Sequence, residues 1–122
     1  MNEYEAFQEV SKEDWLHEGE HFFILRALEP LSEGHLLIVA RQARKDFFEL
    51  TKDERSEFPE MIHEARMLIE NAHVPEGYNI GMDCGRAAGQ KFLRFHCHVI
   101  PRYGDEEEQK ESTPRGIRNF LT

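Results

Sequence analysis

The sequence predicts an α+β domain: an antiparallel sheet of about five strands, one long helix and a short N-terminal helix. Three observations lead there. Residues 51–72 carry an apolar stripe at helical spacing behind a capping signal. Short apolar runs at 21–26, 35–41 and 78–84 are bounded by turn residues. Residues 89–102 alternate between two faces with period two and carry two histidines two positions apart.

Residues 1–13 are acidic and weakly patterned, and a short helix is expected there. His21 to Arg26 reads as a buried strand, and Glu29 to Gly34 as a turn. His35 to Arg41, rich in branched side chains, reads as a second strand, so these two form a hairpin with a longer loop. Thr51 with Glu54 three residues on is a capping-box signal. Phe58, Met61, Ile62, Ala65, Leu68, Ile69 and Ala72 then follow the i, i+3, i+4 pattern. Pro59 falls inside it, which predicts a kink or a late helix start. Pro75 and Gly77 end the helix. Tyr78 to Cys84 is the third strand, Gly85 to Gly89 its hairpin loop, and the histidine segment the fourth strand. Residues 104–113 read as a polar loop and 114–122 as a tail that turns basic.

The chain has 122 residues, enough for a single domain over 1–122 with its own core. A net charge of −9 argues against a nucleic acid polymer or an anionic membrane as partner. Arg86, Lys91, Arg94 and Arg102 nevertheless flank the histidine segment, so a small anion remains compatible. Two cysteines, Cys84 and Cys97, are too few for a disulfide framework. The first residues have neither the basic nor the apolar region of a signal peptide, and no run is long and apolar enough to span a membrane. A cytoplasmic location is expected.

The histidine segment carries the chemistry. As a strand, it puts Arg94, His96, His98 and Ile100 on one face, and Phe95, Cys97, Val99 and Pro101 on the other. The two imidazoles then lie about 6.6 Å apart along the strand. By itself, His-x-His on a strand fits a metal half-site, two incidental histidines or a catalytic pair. His17, His21, His63 and His73 lack comparable surroundings and read as surface or helix residues.

The stretch Tyr78 to Gln90, running into Phe95-His96-Cys97-His98-Val99-Ile100-Pro101-Arg102, resembles the histidine-triad (HIT) family of nucleotide hydrolases and transferases. Leu31 to Val39 resembles the family strand that opens with a further active-site histidine, here His35. Pro114 to Arg118 resembles a C-terminal segment of some bacterial members. The family pattern is His-φ-His-φ-His-φ-φ, with φ apolar. By position, the resemblance implies that His96 is the nucleophile, His98 the third histidine and His35 their support. It implies that Gln90 lies near the transferred phosphate.

Such chemistry suits imidazole. A neutral ring brings no negative charge toward an anionic phosphorus, and its usual pKa of about 6.5 leaves much of it neutral at pH 7. Covalent attack splits one hard step into two. His98 can donate to a phosphate oxygen, and Gln90 with the N–H groups from Gly85 to Gly89 can hold others. Arg94 can add a forked donor if it turns to the site.

The chain departs from the family pattern at four places. Arg94 replaces the first triad histidine, a position the resemblance implies is structural. Asp83 stands where asparagine is frequent, and a salt bridge between Asp83 and Arg94 is expected to compensate. Ala27 stands where many members carry a ribose-gripping aspartate. The structural-zinc ligands of some members are missing, with Ala43 and Arg94 at two of their positions and no early cysteines, so no metal or cofactor is expected. The leading reading is a nucleotidyl hydrolase or transferase acting through a His96–nucleotide intermediate. A nucleotide-binding module with weak or lost catalysis and a metalloprotein using His35, His96 and His98 are the alternatives. The resemblance also implies a homodimer, in accord with the exposed apolar face expected of a one-layer domain.

Overall fold

Side chains two apart along a strand fall on one face of a sheet, and that parity sets the layers of this protein. The computed structural model describes residues 10–104. Its strands are β1 (His17–Glu18), β2 (Phe22–Arg26), β3 (Leu36–Ala40), β4 (Gly77–Gly81) and β5 (His96–Arg102), with one helix, α1 (Lys52–Glu70), between β3 and β4. The strands form one antiparallel sheet in the order β1-β2-β3-β5-β4. The α+β class and the five strands are as expected. The fifth strand is β1, a two-residue strand that contains His17, too short for any periodicity to reveal. The third strand ends at Gly81 rather than Cys84, and the fourth starts only at His96. The expected N-terminal helix and the loop and tail beyond residue 104 lie largely outside the described residues; Lys12–Asp14 forms a single 3-10 turn.

Phe22 and Ile24 of β2, Leu36, Ile38 and Ala40 of β3, and Cys97 and Val99 of β5 share one face. Phe58, Met61, Ala65 and Ile69 of α1 pack on it, with Phe95 entering from just before β5. The rings of Phe22, Phe47, Phe58 and Phe95 meet at tilted or edge-on angles with centroids 5.5–6.4 Å apart, the offset geometry aromatic quadrupoles favour. Thr51 caps α1 as read from the sequence: its hydroxyl accepts from Glu54 N–H at 3.2 Å, and the Glu54 carboxylate accepts from Thr51 N–H at 2.6 Å. The helix does not start late. It begins at Lys52 and runs through Pro59, which is exposed on the solvent side of the helix.

The opposite face corrects an expectation. Phe23, Leu25, Leu37 and Val39 are buried there too. Trp15 stacks on Phe23 with ring centroids 4.0 Å apart and planes 7° from parallel, and Val10, Ala27 and Phe92 pack beside them. This face is therefore not bare, because the turn before β1 and the segment before β5 fold over it.

Candidate active site

The β3–β5 register pairs Leu37 with His98 and Val39 with His96. That places both imidazoles on the face away from α1, and Gly81 of β4, opposite His98, adds no side chain there. His35 lies one residue before β3, where its carbonyl accepts from Ala27 N–H at 3.0 Å. Three histidines, one just before β3 and two on β5, thus meet: His35 and His98 have ring centroids 5.2 Å apart, and His96 and His98 5.3 Å. All three are almost fully buried.

Their hydrogen bonds determine their tautomers. Leu31 N–H donates to His35 Nδ1 at 3.0 Å, so Nδ1 is an acceptor and neutral His35 carries its proton on Nε2. His35 Nε2 lies 3.0 Å from His98 Nδ1; Nδ1 therefore accepts, and the His98 proton sits on Nε2. That Nε2 is buried and has no hydrogen-bond partner among the described residues. His96 Nδ1 lies 2.8 Å from the Arg94 carbonyl, which can only accept. Nδ1 therefore holds the proton, and the lone pair of neutral His96 is on Nε2.

Burial keeps all three neutral. It lowers His35 to about 4, with the Arg102 charge adding to it. It lowers His98 to about 3, assisted by His96 and His35. His96 is also lowered by burial, against the opposing pull of its bond to the Arg94 carbonyl and of the Asp83 carboxylate. The set offers one imidazole lone pair beside one imidazole N–H donor.

A pocket of about 340 Å³ opens over them, within the range of small-molecule sites. His35, His96 and His98 all line it. Ala27, Leu28, Pro30, Leu31, Leu37 and Phe92 give apolar walls, and Glu29 and Lys91 bring one charge of each sign.

The other expected site residues surround this pocket without lining it. Gln90 is buried and its amide is fully engaged: Nε2 donates to the Lys45 and Phe92 carbonyls at 2.7 Å each, and Oε1 accepts from Gly85 N–H at 2.7 Å. The loop amides turn inward as well, Ala88 N–H to Gly85 and Gly89 N–H to Arg86. Gly85 and Gly89 have φ of +92° and +102°, a region glycine reaches at little cost. A side chain at Gly89 would begin 3.5 Å from an Asp83 carboxylate oxygen. Gln90 and Gly89 thus hold the loop together, and the N–H groups of Gly85, Ala88 and Gly89 are spent within it. The expected Asp83–Arg94 salt bridge is absent. Arg94 gives Nε to the Ala40 carbonyl at 3.0 Å and Nη2 to the Arg41 carbonyl at 2.8 Å instead. It sits before β5, where β3 ends and leaves carbonyls unpaired.

Two contributors were missed in the sequence. The Leu31 amide acts through backbone alone and has no side-chain signal. Phe92 shares parity with His96 and His98, and extending the alternation two residues upstream of Arg94 would have found it. Lys91, read from the sequence as one of four cations flanking the histidine segment, is the one of the four that lines the pocket. Among the described residues, no group of three or more histidine, cysteine or acidic side chains is arranged to hold a metal ion. The direct His35–His98 hydrogen bond occupies two nitrogens that a metal would need.

A five-stranded antiparallel sheet with one helix on one face and paired imidazoles at a pocket on the other defines the class. Residues 8–105 match the HIT domain, and the chain belongs to that family. It is 33% identical over 96 residues to a HIT-like protein of Methanocaldococcus jannaschii, covering 78% of this chain and 74% of that one. It is 30% identical over 105 residues to the AP-4-A phosphorylase of Mycobacterium tuberculosis, covering 85% of this chain but only 48% of the relative, about half its length. A HIT family protein from Bacillus anthracis superposes with a TM-score of 0.71 at 28% identity, covering 89% of this chain and 77% of the other.

Proposed function

We propose that this protein is a nucleotide hydrolase or nucleotidyl transferase that cleaves a phosphoanhydride or phosphoramidate bond at an α-phosphate. The observation that carries this reading is the tautomer chain from Leu31 N–H through His35 to His98, which leaves a buried His98 Nε2–H without a partner among the described residues, beside a neutral His96. The His96 Nε2 lone pair attacks the α-phosphorus. The bond to the leaving group breaks, and its electron pair departs with that group. His98 Nε2–H donates to a phosphoryl oxygen as charge builds there. Water then attacks phosphorus, the P–N bond returns its pair to His96, and the water's proton passes to solvent. The apolar walls suit a base and sugar, although Ala27 supplies no carboxylate for the ribose. The relative named AP-4-A phosphorylase supports a nucleotide as substrate. We include a homodimer, located in the cytoplasm, in the same reading.

The test compares wild type and His96→Ala on adenosine phosphoramidates and dinucleoside polyphosphates, with and without chelator. Release of nucleotide by wild type, unchanged by chelator and reduced at least 10³-fold in the variant, is the expected outcome, roughly the effect of removing a nucleophile. Binding without turnover would instead identify a module that has lost catalysis. Loss of activity on chelation would identify a metalloenzyme.

A further inference from the structure

Arg94 is 6% exposed and has no carboxylate partner among the described residues, an unusual setting for a guanidinium. Its carbon lies 5.9 Å from the Phe23 ring centroid, and its donors go to two successive backbone carbonyls, those of Ala40 and Arg41. These carbonyls mark where β3 runs out. Nearby, Ala40 N–H donates to the Phe95 carbonyl at 3.2 Å, and Phe95 N–H donates to the Arg44 carbonyl at 2.7 Å. The Arg94 side chain and the backbone of Phe95, which shares a peptide unit with the Arg94 carbonyl, are therefore tied to the same segment after β3. The Arg94 carbonyl, between these ties, is the acceptor of His96 Nδ1.

We infer that the Arg94 guanidinium is a positioning group for the nucleophile: by bridging the Ala40 and Arg41 carbonyls it holds its own carbonyl against His96 Nδ1–H and so keeps the lone pair on Nε2. The planar fork explains why arginine serves here. One rigid group reaches two neighbouring carbonyls at once, where an ammonium has no fixed fork and a methionine no donor. Without the bridge, the buried Ala40 carbonyl and the part-buried Arg41 carbonyl lose their donors, and water or a shifted backbone must serve them. The Arg94 carbonyl moves with that backbone, and the proton on His96 is no longer confined to Nδ1. The bearing on catalysis rests on the nucleotidyl-transfer reading; the tautomer itself does not.

The experiment is ¹⁵N NMR of the imidazoles in full-length wild type, Arg94→Met, Arg94→Lys and Ile69→Val at neutral pH. Ile69 is buried on the inner face of α1, on the side of the sheet away from the histidines, so its variant reports plain destabilisation. Wild type is expected to show a pyrrole-like Nδ1 and a pyridine-like Nε2 at His96. In Arg94→Met the two shifts converge, in Arg94→Lys they converge less, and in Ile69→Val they hold while the melting temperature falls. The kcat for nucleotide release should fall roughly 10- to 100-fold in Arg94→Met, with KM changed less. A wild-type His96 pattern in folded Arg94→Met overturns the inference. If that variant does not fold, a wild-type pattern in Arg94→Lys overturns it. Turnover absent in wild type would count against the nucleotide chemistry while leaving the spectra to decide the role of Arg94.

Discussion

At His96 the chemistry depends on which ring nitrogen holds the proton, and that is decided by a carbonyl two residues upstream. The same logic runs through His35 and His98, where one backbone amide orders two rings. Holding these rings neutral makes the fold sensitive to acid. Folding lowers His35 from the usual 6.5 to about 4 and His98 to about 3. Below pH 6.5 the unfolded chain takes up protons that the folded chain refuses, so stability is complete above that pH and is lost as pH falls toward the folded values. Each ring contributes a slope approaching about 1.4 kcal/mol per pH unit in that window. Urea unfolding at pH 7.5, 6 and 5 should show a midpoint that drops steeply between the last two. A flat midpoint would mean that the rings are solvated and charged.

At the scale of elements, the segment after β3 is the junction that holds the site. The carbonyls of Ala40, Arg41, Arg44 and Lys45 receive donors from Arg94, Phe95 and Gln90. Arg44 also reaches forward to the helix: its Nε donates to both Glu54 carboxylate oxygens, at 3.0 and 3.2 Å. Glu54 is 1% exposed, and although burial pushes its pKa up, the Thr51 and Arg44 donors outweigh that and hold it below the usual value. Thr51→Ala removes one cap bond and should cost about 1 kcal/mol. Glu54→Ala removes the other cap bond and strips Arg44 of its partner, so it should cost about 3 kcal/mol. Chemical denaturation of both variants checks the order; equal losses would show that the Arg44 contact adds nothing. The capping box was legible because its signal is local in sequence. The Arg44–Glu54 pair was not, since ten residues and a 3-10 turn at Phe47–Glu49 separate the two side chains.

At the scale of the whole molecule, the sheet is layered on both faces, and among the described residues no strand pairs with the outer side of β4. β4 is an outer strand, Ile80 on it is 43% exposed, and Gly77 has open space around it. An unprotected edge favours pairing with another chain, which makes β4 the preferred place for the proposed two-fold contact. Sedimentation equilibrium should report twice the chain mass of 14.4 kDa, and Ile80→Lys should shift the protein toward monomer. A wild-type protein of single mass at micromolar concentration would remove the dimer. The large apolar side chains exposed elsewhere, Leu28, Phe48, Met67 and Val74, come from four different segments.

The sequence by itself determined the strand parity that separates Phe95, Cys97 and Val99 from His96 and His98, the capped helix, and the alignment of His35 with the pair. These depend on period, local caps and motif, all of which are written along the chain. Only the tertiary structure decided what Arg94, Gln90 and Asp83 do. Arg94 took two carbonyls at the end of β3 in place of a carboxylate. Gln90 became a loop tie, and Asp83 was left to act on His96 through its field. A buried polar group bonds to whichever donor or acceptor the fold leaves unpaired beside it. Those unpaired groups exist only once the strands have stopped where packing, rather than pattern, ends them.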